Sequence, residues 1–180
     1  MSLKKELVDE IVKVTSKAAI SCHKFIGKND KINTDKAATD SMRNEINKLK
    51  FNGEVVIGEG ELDEAPMLYI GEKIGSMNGP EIDIAVDPLE GTNFAANNLP
   101  GALSVIAIAE KNNLFNAPET YMQKISTKVS DKEVVDLDYS VKKNIFNLSE
   151  YLNEKPEKLT ACIMDRPRHK DIINELKTIG

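Results

Sequence analysis

The sequence predicts an α/β fold in which long amphipathic helices pack on a mixed sheet. Apolar residues recur at three- and four-residue steps over residues 7–26, as they do on the buried face of a helix. Short apolar runs at residues 54–57, 82–86 and 103–109 are typical of buried strands. The chain has 180 residues, which is enough for one domain with a hydrophobic core over residues 1–180.

Two helices are expected near the start of the chain. The first ends at Gly27, because glycine readily adopts the left-handed conformation that closes a helix. The second covers residues 38–49, with Thr34 or Asp35 as its N-cap. A short helix or turn is predicted over residues 65–73. Because Asp35 stands just before the second predicted helix, it is interpreted on the residues alone as a helix cap.

The remaining elements follow from apolar runs and turn-forming residues. They are a loop (75–80), a hairpin turn at Asn112-Asn113 leading into residues 114–115, two irregular strands within 121–135, a helix (141–152), a strand (159–164) and a last helix opened by Pro167. Proline suits the first turn of a helix, where its missing N–H is not needed.

Composition excludes several classes of protein. The chain carries 24 basic and 29 acidic residues, so its net charge of −5 gives no basic footprint for nucleic acid. No apolar run approaches the ~20 residues that span a membrane. Cys22 and Cys162 are far apart, which argues against a disulfide framework or a zinc site. A reducing compartment, the cytoplasm, is therefore expected.

The most informative stretch is Asp87-Pro88-Leu89-Glu90-Gly91-Thr92, which directly follows a predicted strand. Asp87 and Glu90 offer charged oxygens, and Thr92 offers a hydroxyl. Gly91 has no Cβ, so it allows a sharp turn or a close approach to a ligand. Mg²⁺ prefers such oxygen ligands and Mn²⁺ tolerates them. The stretch therefore predicts a site that holds divalent cations against a phosphate ester.

A second acidic turn, Gly58-Glu59-Gly60-Glu61-Leu62-Asp63-Glu64, follows another predicted strand. Alone, it would be a solvated turn whose acids favour the N-terminus of the next helix. Two strand ends that both carry clustered acids favour a shared metal site instead, since α/β sheets bind ligands at the carboxyl ends of strands. Glu59 is the best ligand because glycines flank it on both sides. Asp83 lies inside its strand and is interpreted as structural.

A basic turn, Arg166-Pro167-Arg168-His169, follows the predicted strand at residues 159–164. Two arginines at a strand-to-helix junction can grip a phosphate, helped by the helix N-terminus. An ordinary basic surface turn explains the same residues equally well. Tyr121 is either a hydrogen-bonding partner for a ligand or a half-buried packing residue. Lys31, near Asp35, is either part of the site or plain surface.

These motifs resemble a known family. Asp87-Pro88-Leu89-Glu90-Gly91-Thr92 is similar to the D-P-I/L-D/E-G-T signature of the lithium-sensitive, metal-dependent sugar and inositol phosphatases. Residues 58–72 look like class II fructose-1,6-bisphosphatase of bacteria. Three further stretches fit in the same order: Asn116-Ala117-Pro118, Tyr121-Met122 and Arg166-Pro167-Arg168-His169. The resemblance covers residues 6–180 and implies the N-terminal part of the sugar phosphatase fold.

The resemblance implies a role for each matching position. Asp35 and Glu59 match the ligands of one divalent ion, which overrides the interpretation of Asp35 as a cap alone. Asp87 and Glu90 match the ligands of a second ion, so two Mg²⁺ or Mn²⁺ sites are implied. The other implied residues are substrate contacts (Glu90, Gly91, Thr92, Tyr121, Arg166, Pro167 and Arg168) and catalytic positions (Thr92, which would orient the attacking water, with Asp63 and Lys31).

The implied reaction is hydrolysis of the 1-phosphate of fructose 1,6-bisphosphate to fructose 6-phosphate, a step of gluconeogenesis. Sedoheptulose 1,7-bisphosphate is the alternative substrate, alone or in addition. Family members continue past Gly180 with an Asp-Gly-Asp substrate segment and another glutamate ligand, and the first residue of the Arg166 motif is often lysine in them. A truncated or split chain is therefore expected, either as a homo-oligomer or as a non-catalytic fragment that needs a complementary C-terminal chain.

Overall fold

The structure is a computed structural model, and it describes residues 5–59, 67–116, 120, 122–129, 131 and 133–180. The chain divides into two compact units, Met1–Pro118 and Glu119–Gly180. The first unit contains a four-stranded sheet with helices packed on it. One domain over residues 1–180 stays a prediction from length alone.

The first helix, α1 (Lys5–Cys22), buries one face, as its apolar periodicity predicts. Ile11 and Val14 on this face are buried in the core. A 3₁₀ turn (His23–Phe25) continues the helix. Gly27 follows with a φ of +74°, a conformation that glycine adopts without strain. The prediction that the helical segment stops at Gly27 is confirmed.

The second helix, α2 (Lys31–Ile46), begins earlier than the sequence predicts. Its N-cap is Asp30, whose carboxylate accepts a hydrogen bond from the backbone N–H of Asn33 at 3.1 Å. Thr34 and Asp35 therefore lie inside the helix, and the prediction that one of them caps it is wrong. The physical reason is that Asp30 already satisfies a free N–H group of the first turn.

The sheet has four strands: β1 (Asn52–Ile57), β2 (Lys73–Ile74), β3 (Glu81–Glu90) and β4 (Leu103–Glu110). Their order is β2-β1-β3-β4. β1 and β3 run parallel, whereas β2 and β4 are antiparallel to their neighbours. A short helix, α3 (Thr92–Ala96), follows β3. The predicted α/β class, with helices on a mixed sheet, is confirmed.

β3 extends further than predicted, because it runs through Asp87 and Pro88 to Glu90. Its register against β4 shifts between Asp87 and Glu90. Such an irregularity accommodates Pro88, which has no N–H to donate to a neighbouring strand. The acidic motif is therefore the irregular end of the strand and does not follow it as a loop.

The connection from β1 to β3 contains no helix in its described part. Residues 70–71 form a turn, and residues 75–80 form the predicted loop. Lys73 does not belong to the helix or turn predicted over residues 65–73, because Lys73 and Ile74 pair with β1 and extend the sheet.

The turn after β4 also differs from the prediction. Asn112 has a φ of +65°, as expected in a tight turn, but residues 114–115 form no strand. The backbone N–H groups of Asn113 and Leu114 donate to the buried carboxylate of Asp83, at 3.0 and 3.3 Å. These donors are therefore not available to a hairpin ladder. Asp83 anchors the turn, in agreement with its interpretation as structural.

Apolar side chains from α1, α2 and the sheet form the main core. Its buried members are Ile11, Val14, Ala18, Met42, Ile46, Phe51, Val55, Leu68, Ile74, Ile82, Ile84 and Val86. A second cluster, formed by Cys22, Ala38, Leu89 and Ala95, contains Leu89 of the acidic motif. Each large apolar side chain that is fully buried contributes ~1.5–3 kcal/mol. The end of β3 is therefore anchored among apolar side chains.

The second unit contains α4 (Val141–Leu152) and α5 (Lys170–Ile179), which pack against each other. Ser140 caps α4 by accepting a hydrogen bond from the backbone N–H of Lys143 at 3.1 Å. A 3₁₀ turn (Pro167–His169) with proline in its first turn leads into α5. The predicted helix over residues 141–152 and the role of Pro167 as a helix opener are confirmed.

The strands predicted at residues 159–164 and within 121–135 are absent from the described residues of this unit. A strand needs a hydrogen-bonded neighbour, and neither segment has one there. Side chains satisfy part of the backbone of the second segment instead: Asn147 donates to the carbonyl oxygen of Val134 at 3.1 Å, and the Thr127 hydroxyl accepts from the N–H of Val129 at 3.3 Å. No helix in the described ranges is both long and apolar enough to cross a membrane.

Candidate active site

Two parallel strands bring the acidic turns of the sequence to the same edge of the sheet. β1 and β3 are neighbours, and Ile57 pairs with Ala85. Glu59 and Asp87 each lie two residues beyond this pair. The carboxyl ends of the two strands therefore present an acid at the same level of the sheet, where α/β folds commonly bind ligands.

The end of β3 is shaped by its own side chains and by one glycine. Asp87 Oδ1 accepts a hydrogen bond from the backbone N–H of Leu89 at 3.1 Å, which tightens the turn. Gly91 then adopts a left-handed φ of +79°, and its carbonyl oxygen accepts from the N–H of Phe94 at 2.7 Å. Glu90, just before this glycine, has an exposed side chain.

The helix α2 places Asp35 against the start of α3. The Thr92 hydroxyl oxygen lies 3.2 Å from Asp35 Oδ1 and 3.0 Å from the carbonyl oxygen of Leu89. A hydroxyl has one proton, so it donates to one of these acceptors and keeps lone pairs with which it can accept. Thr92 thus links Asp35 to the β3 motif and can still accept a hydrogen bond from a bound water or ligand.

Glu59 is the acid whose pKa rises most among the described residues. Burial raises its pKa first, and the charges of Asp87 and Asp35 raise it further, to about 8. Its Oε2 atom is buried and, as a carboxylate oxygen, accepts no hydrogen bond from the described residues. A hydrogen bond between Glu59 and Asp87 needs a proton on one of them, and this bond is a further cause of the raised pKa of Glu59.

The neighbouring acids follow the same trend. Burial raises the pKa of Asp87, and a hydrogen bond and charge from Glu90 raise it further, to about 6. Burial also raises the pKa of Asp35, although the hydrogen bond from Thr92 opposes that effect. The acid cluster consists of Asp35, Glu59, Asp87 and Glu90. Over the described ranges, none of these four acids forms an ion pair with lysine or arginine. The cluster therefore carries negative charge that these residues do not neutralise.

The chemistry of this cluster fits hard divalent cations. Four carboxylates and a hydroxyl are the oxygen donors that Mg²⁺ and Mn²⁺ prefer, and the buried Oε2 of Glu59 is an acceptor that a cation would satisfy. No three acidic, histidine or cysteine side chains in the described part of the chain converge tightly enough to form a metal cage unaided. Like charges without a cation between them repel. Metal ligation by these acids stays a prediction.

The other predicted residues lie elsewhere. Lys31 is exposed in the first turn of α2. The basic turn at residues 166–168 is exposed in the second unit, at the entry to α5. Asp63 and Tyr121 lie outside the described residues. The first unit therefore brings together the four acids and Thr92, and the basic turn belongs to the other unit.

Sequence reasoning missed Arg43, a half-buried residue of α2. Arg43 Nε donates to Glu72 Oε1 at 2.7 Å, and Nη2 donates to Glu72 Oε2 at 3.2 Å and to the carbonyl oxygen of Met67. The backbone N–H of Glu59 donates to the carbonyl oxygen of Leu68 at 2.9 Å. Arg43 thus holds the segment to which the backbone of Glu59 is hydrogen-bonded. No spacing rule links an arginine and a glutamate 29 residues apart in different elements.

Comparisons with known proteins agree with the resemblance seen in the motifs. The chain matches the family model described as bacterial fructose-1,6-bisphosphatase, glpX-encoded, over residues 5–180. It is 47% identical over 174 residues to the D-fructose 1,6-bisphosphatase class 2/sedoheptulose 1,7-bisphosphatase of Prochlorococcus marinus (strain MIT 9301). Proteins of the same name from Synechococcus sp. (strain CC9902) and Parasynechococcus marenigrum (strain WH8102) are 46% and 47% identical over 174 residues.

Each of these alignments covers 97% of this chain and 52% of the relative. The chain therefore spans about half the length of the curated relatives it matches. The family model, by contrast, matches nearly all of the chain, including both acidic turns and the basic turn. The chain belongs to the bacterial, glpX-encoded fructose-1,6-bisphosphatase family.

Proposed function

We propose that this chain carries the metal centre of a phosphatase that hydrolyses the 1-phosphate of fructose 1,6-bisphosphate, giving fructose 6-phosphate and phosphate. The observation that carries the proposal is the acid cluster at the carboxyl ends of β1 and β3, which has no ion-pair partner among the described residues. The names of the curated relatives support this reaction. A cytoplasmic location and a role in gluconeogenesis are part of the same proposal.

Asp35 and Glu59 would hold one divalent ion, and Asp87 and Glu90 would hold a second. When bound, Mg²⁺ or Mn²⁺ would neutralise the phosphate and activate the attacking water. Glu59 must lose its proton first, because only the ionised carboxylate is a ligand. Its raised pKa therefore makes metal binding depend on pH near neutrality.

Thr92 and Gly91 would arrange the reacting groups around the substrate phosphate. The Thr92 hydroxyl donates to Asp35 or to the carbonyl oxygen of Leu89, so its lone pairs can accept a hydrogen bond from the attacking water and fix the water's orientation. Gly91 would allow the phosphate to approach the backbone. Arg166 and Arg168 would bind the distal phosphate or the sugar, since guanidinium groups pair with phosphate through two parallel hydrogen bonds.

A second candidate substrate is sedoheptulose 1,7-bisphosphate, which the names of the curated relatives pair with fructose 1,6-bisphosphate. Both sugars present a 1-phosphate to the same reacting groups, and they differ in the distance to the distal phosphate. The choice between them would therefore depend on the distal site, which we assign to residues 166–168. Phosphate release from each sugar, measured as kcat/KM, distinguishes one substrate from two.

The alternative from another class is a metal-binding chain that turns over substrate only with a complementary C-terminal chain. The chain covers 52% of the length of the curated relatives, so a relative supplies the complementary half for the test. Homo-oligomerisation is compatible with either form. To separate the two, Mn²⁺-dependent phosphate release from fructose 1,6-bisphosphate is measured with this chain alone and after adding the remaining half of the Prochlorococcus relative.

Phosphate release by the chain alone supports a self-sufficient enzyme, and release only after addition of the second half supports the split form. In whichever form is active, Glu59→Gln should abolish release. Glu81→Gln is the matched control, because Glu81 is an exposed glutamate at the opposite end of β3. Full activity of the Glu59→Gln variant would overturn the metal assignment.

A further inference from the structure

Gly58 and Glu59 rest on a segment that comes later in the chain, at residues 67–72. The backbone N–H of Glu59 donates to the carbonyl oxygen of Leu68 at 2.9 Å. A Cβ atom at Gly58 would lie only 2.2 Å from the same oxygen, so the two backbones touch at a position that only glycine permits. The position of Glu59 is therefore set by the position of Leu68.

Leu68 is in turn held from two sides. Its side chain is fully buried in the main core. The residues after Leu68 bond to Val55 of β1. The N–H of Gly71 donates to the carbonyl oxygen of Val55 at 2.7 Å, and the N–H of Val55 donates to the carbonyl oxygen of Glu72 at 3.0 Å. These contacts fix the segment to the sheet, but none of them fixes it to α2, which carries Asp35.

Arg43 makes that second connection. Its guanidinium pairs with both oxygens of Glu72, at 2.7 and 3.2 Å, and also donates to the carbonyl oxygen of Met67. The ion pair is shielded, since the side chains of Arg43 and Glu72 are only 24% and 11% exposed. The hydrogen bond to Glu72 raises the pKa of Arg43. Arg43 thus clamps both ends of the 67–72 segment to the helix α2.

We propose that Arg43 is a positioning residue of the metal centre: it fixes the spacing between Asp35, which lies about two turns earlier on the same helix, and Glu59, which rests on the clamped segment. The inference rests on the proposed function, because it assumes that Asp35 and Glu59 share a cation. Lysine should not replace Arg43, since an ammonium group cannot reach two carboxylate oxygens and a carbonyl oxygen in one plane.

The test separates metal affinity from folding stability. Mn²⁺ affinity is measured by calorimetry on the full chain, and metal-free stability is measured by urea unfolding in a chelator. For Arg43→Lys we expect Mn²⁺ affinity to fall ~10- to 100-fold, the usual effect of losing a residue that orients a ligand. Glu45→Gln is the matched control, because it removes ion pairs of α2 with Lys17 and Lys48 and touches no part of the 67–72 segment.

An unchanged Mn²⁺ affinity in Arg43→Lys, within about twofold of the parent chain, would show that the clamp is only structural and would overturn the inference. If Arg43→Lys fails to fold, Glu72→Gln decides instead, since it keeps the bond from Arg43 to the Met67 carbonyl but removes the charge and one of the two acceptor oxygens of Glu72. A parent chain that binds no Mn²⁺ would overturn the proposed function as well. If the parent chain and the Arg43→Lys variant bind Mn²⁺ equally well, only the inference about Arg43 fails and the proposed function stands.

Discussion

The two ends of the β1–β3 pair carry acids of the same kind in opposite electrostatic environments. At one end, Glu54 of β1 pairs with Asp83 of β3 in the strand register. Lys73 and Lys111 both bond Glu54, and Lys111 also lies 3.5 Å from Asp83. These lysines lower the pKa of Glu54 to about 2, the hydrogen bond from Lys111 having the larger effect.

At the other end, Glu59 and Asp87 each lie two residues beyond the paired Ile57 and Ala85. Their pKa values move in the opposite direction, to about 8 and about 6, because burial and neighbouring acids disfavour the ionised forms. At the first end, lysines of the chain neutralise the acids of the two strands. At this end, no lysine or arginine among the described residues does so. The contrast supports our proposal that the second cluster holds a divalent cation, whereas lysines of the chain neutralise the first.

The largest effect that would sharpen this contrast is on catalysis. Asp87→Asn should lower Mn²⁺-dependent phosphate release ~100-fold or more, because a metal ligand supplies several kcal/mol of transition-state stabilisation. The metal-free variant should be at least as stable as the parent chain, since one repelling charge is gone. The measurements are steady-state phosphate release and urea unfolding in a chelator. A variant that is inactive because it is unfolded would contradict the distinction between the two ends.

At the neutralised end, loss of an acid should have the opposite effect on folding. Asp83→Ala removes the acceptor of two backbone N–H groups and a partner of Lys111. Each unsatisfied group costs ~1–3 kcal/mol, so we expect the free energy of unfolding to fall by about 2–3 kcal/mol. Mn²⁺ affinity per folded molecule should stay unchanged. A clear loss of affinity without a loss of stability would show that the two ends are not independent.

A third effect concerns pH. Glu59 has an ordinary pKa of 4.5 when unfolded and about 8 when folded, so between these values the folded chain binds the proton more tightly. The free energy of unfolding of the metal-free chain should therefore fall as pH rises from about 5 to 8, where it levels off. Asp87, with a pKa of about 6, acts in the same direction.

Saturating Mn²⁺ should reverse this trend, because the ion binds the carboxylate forms and stabilises the folded state. Urea unfolding at several pH values, with chelator or with Mn²⁺, measures both curves. Glu59→Gln should flatten the metal-free curve. A metal-free stability that rises steadily from pH 5 to 8 would show that the acids at this end are already neutralised.

Local sequence patterns could predict α1, α4, the main strands of the sheet and the edge at which the acids meet, because their causes are local. Apolar periodicity indicated α1 and β1, and the acids after β1 and at the end of β3 indicated a shared edge. The N-cap at Asp30 and the bulge at Pro88 were missed, although each has a local signal: an aspartate three residues before Asn33, and a proline within an apolar run.

The neutralisation of charge could not be predicted, because it depends on residues far apart in the chain. Glu54 and Lys111 are separated by 57 positions, and so are Asp35 and Thr92. Nothing in the order of residues shows that Glu54 meets two lysines and Glu59 none among the described residues. Tertiary packing therefore decides which acids are neutralised by lysines of the chain, and Arg43 was missed for the same reason.

The smallest effect is expected from Glu54 in acid. Its folded pKa of about 2 lies below the ordinary value of 4.5, so its contribution to stability is fully present above about pH 4.5 and is lost as pH falls towards 2. The contribution should be below about 1 kcal/mol, since ion pairs near the surface are screened by solvent. The difference in unfolding free energy between the parent chain and Glu54→Gln isolates it from the other acids. That difference should shrink between pH 5 and pH 2.5, whereas a constant difference would mean that Glu54 stabilises by packing and that the lysines at this end do not act through charge.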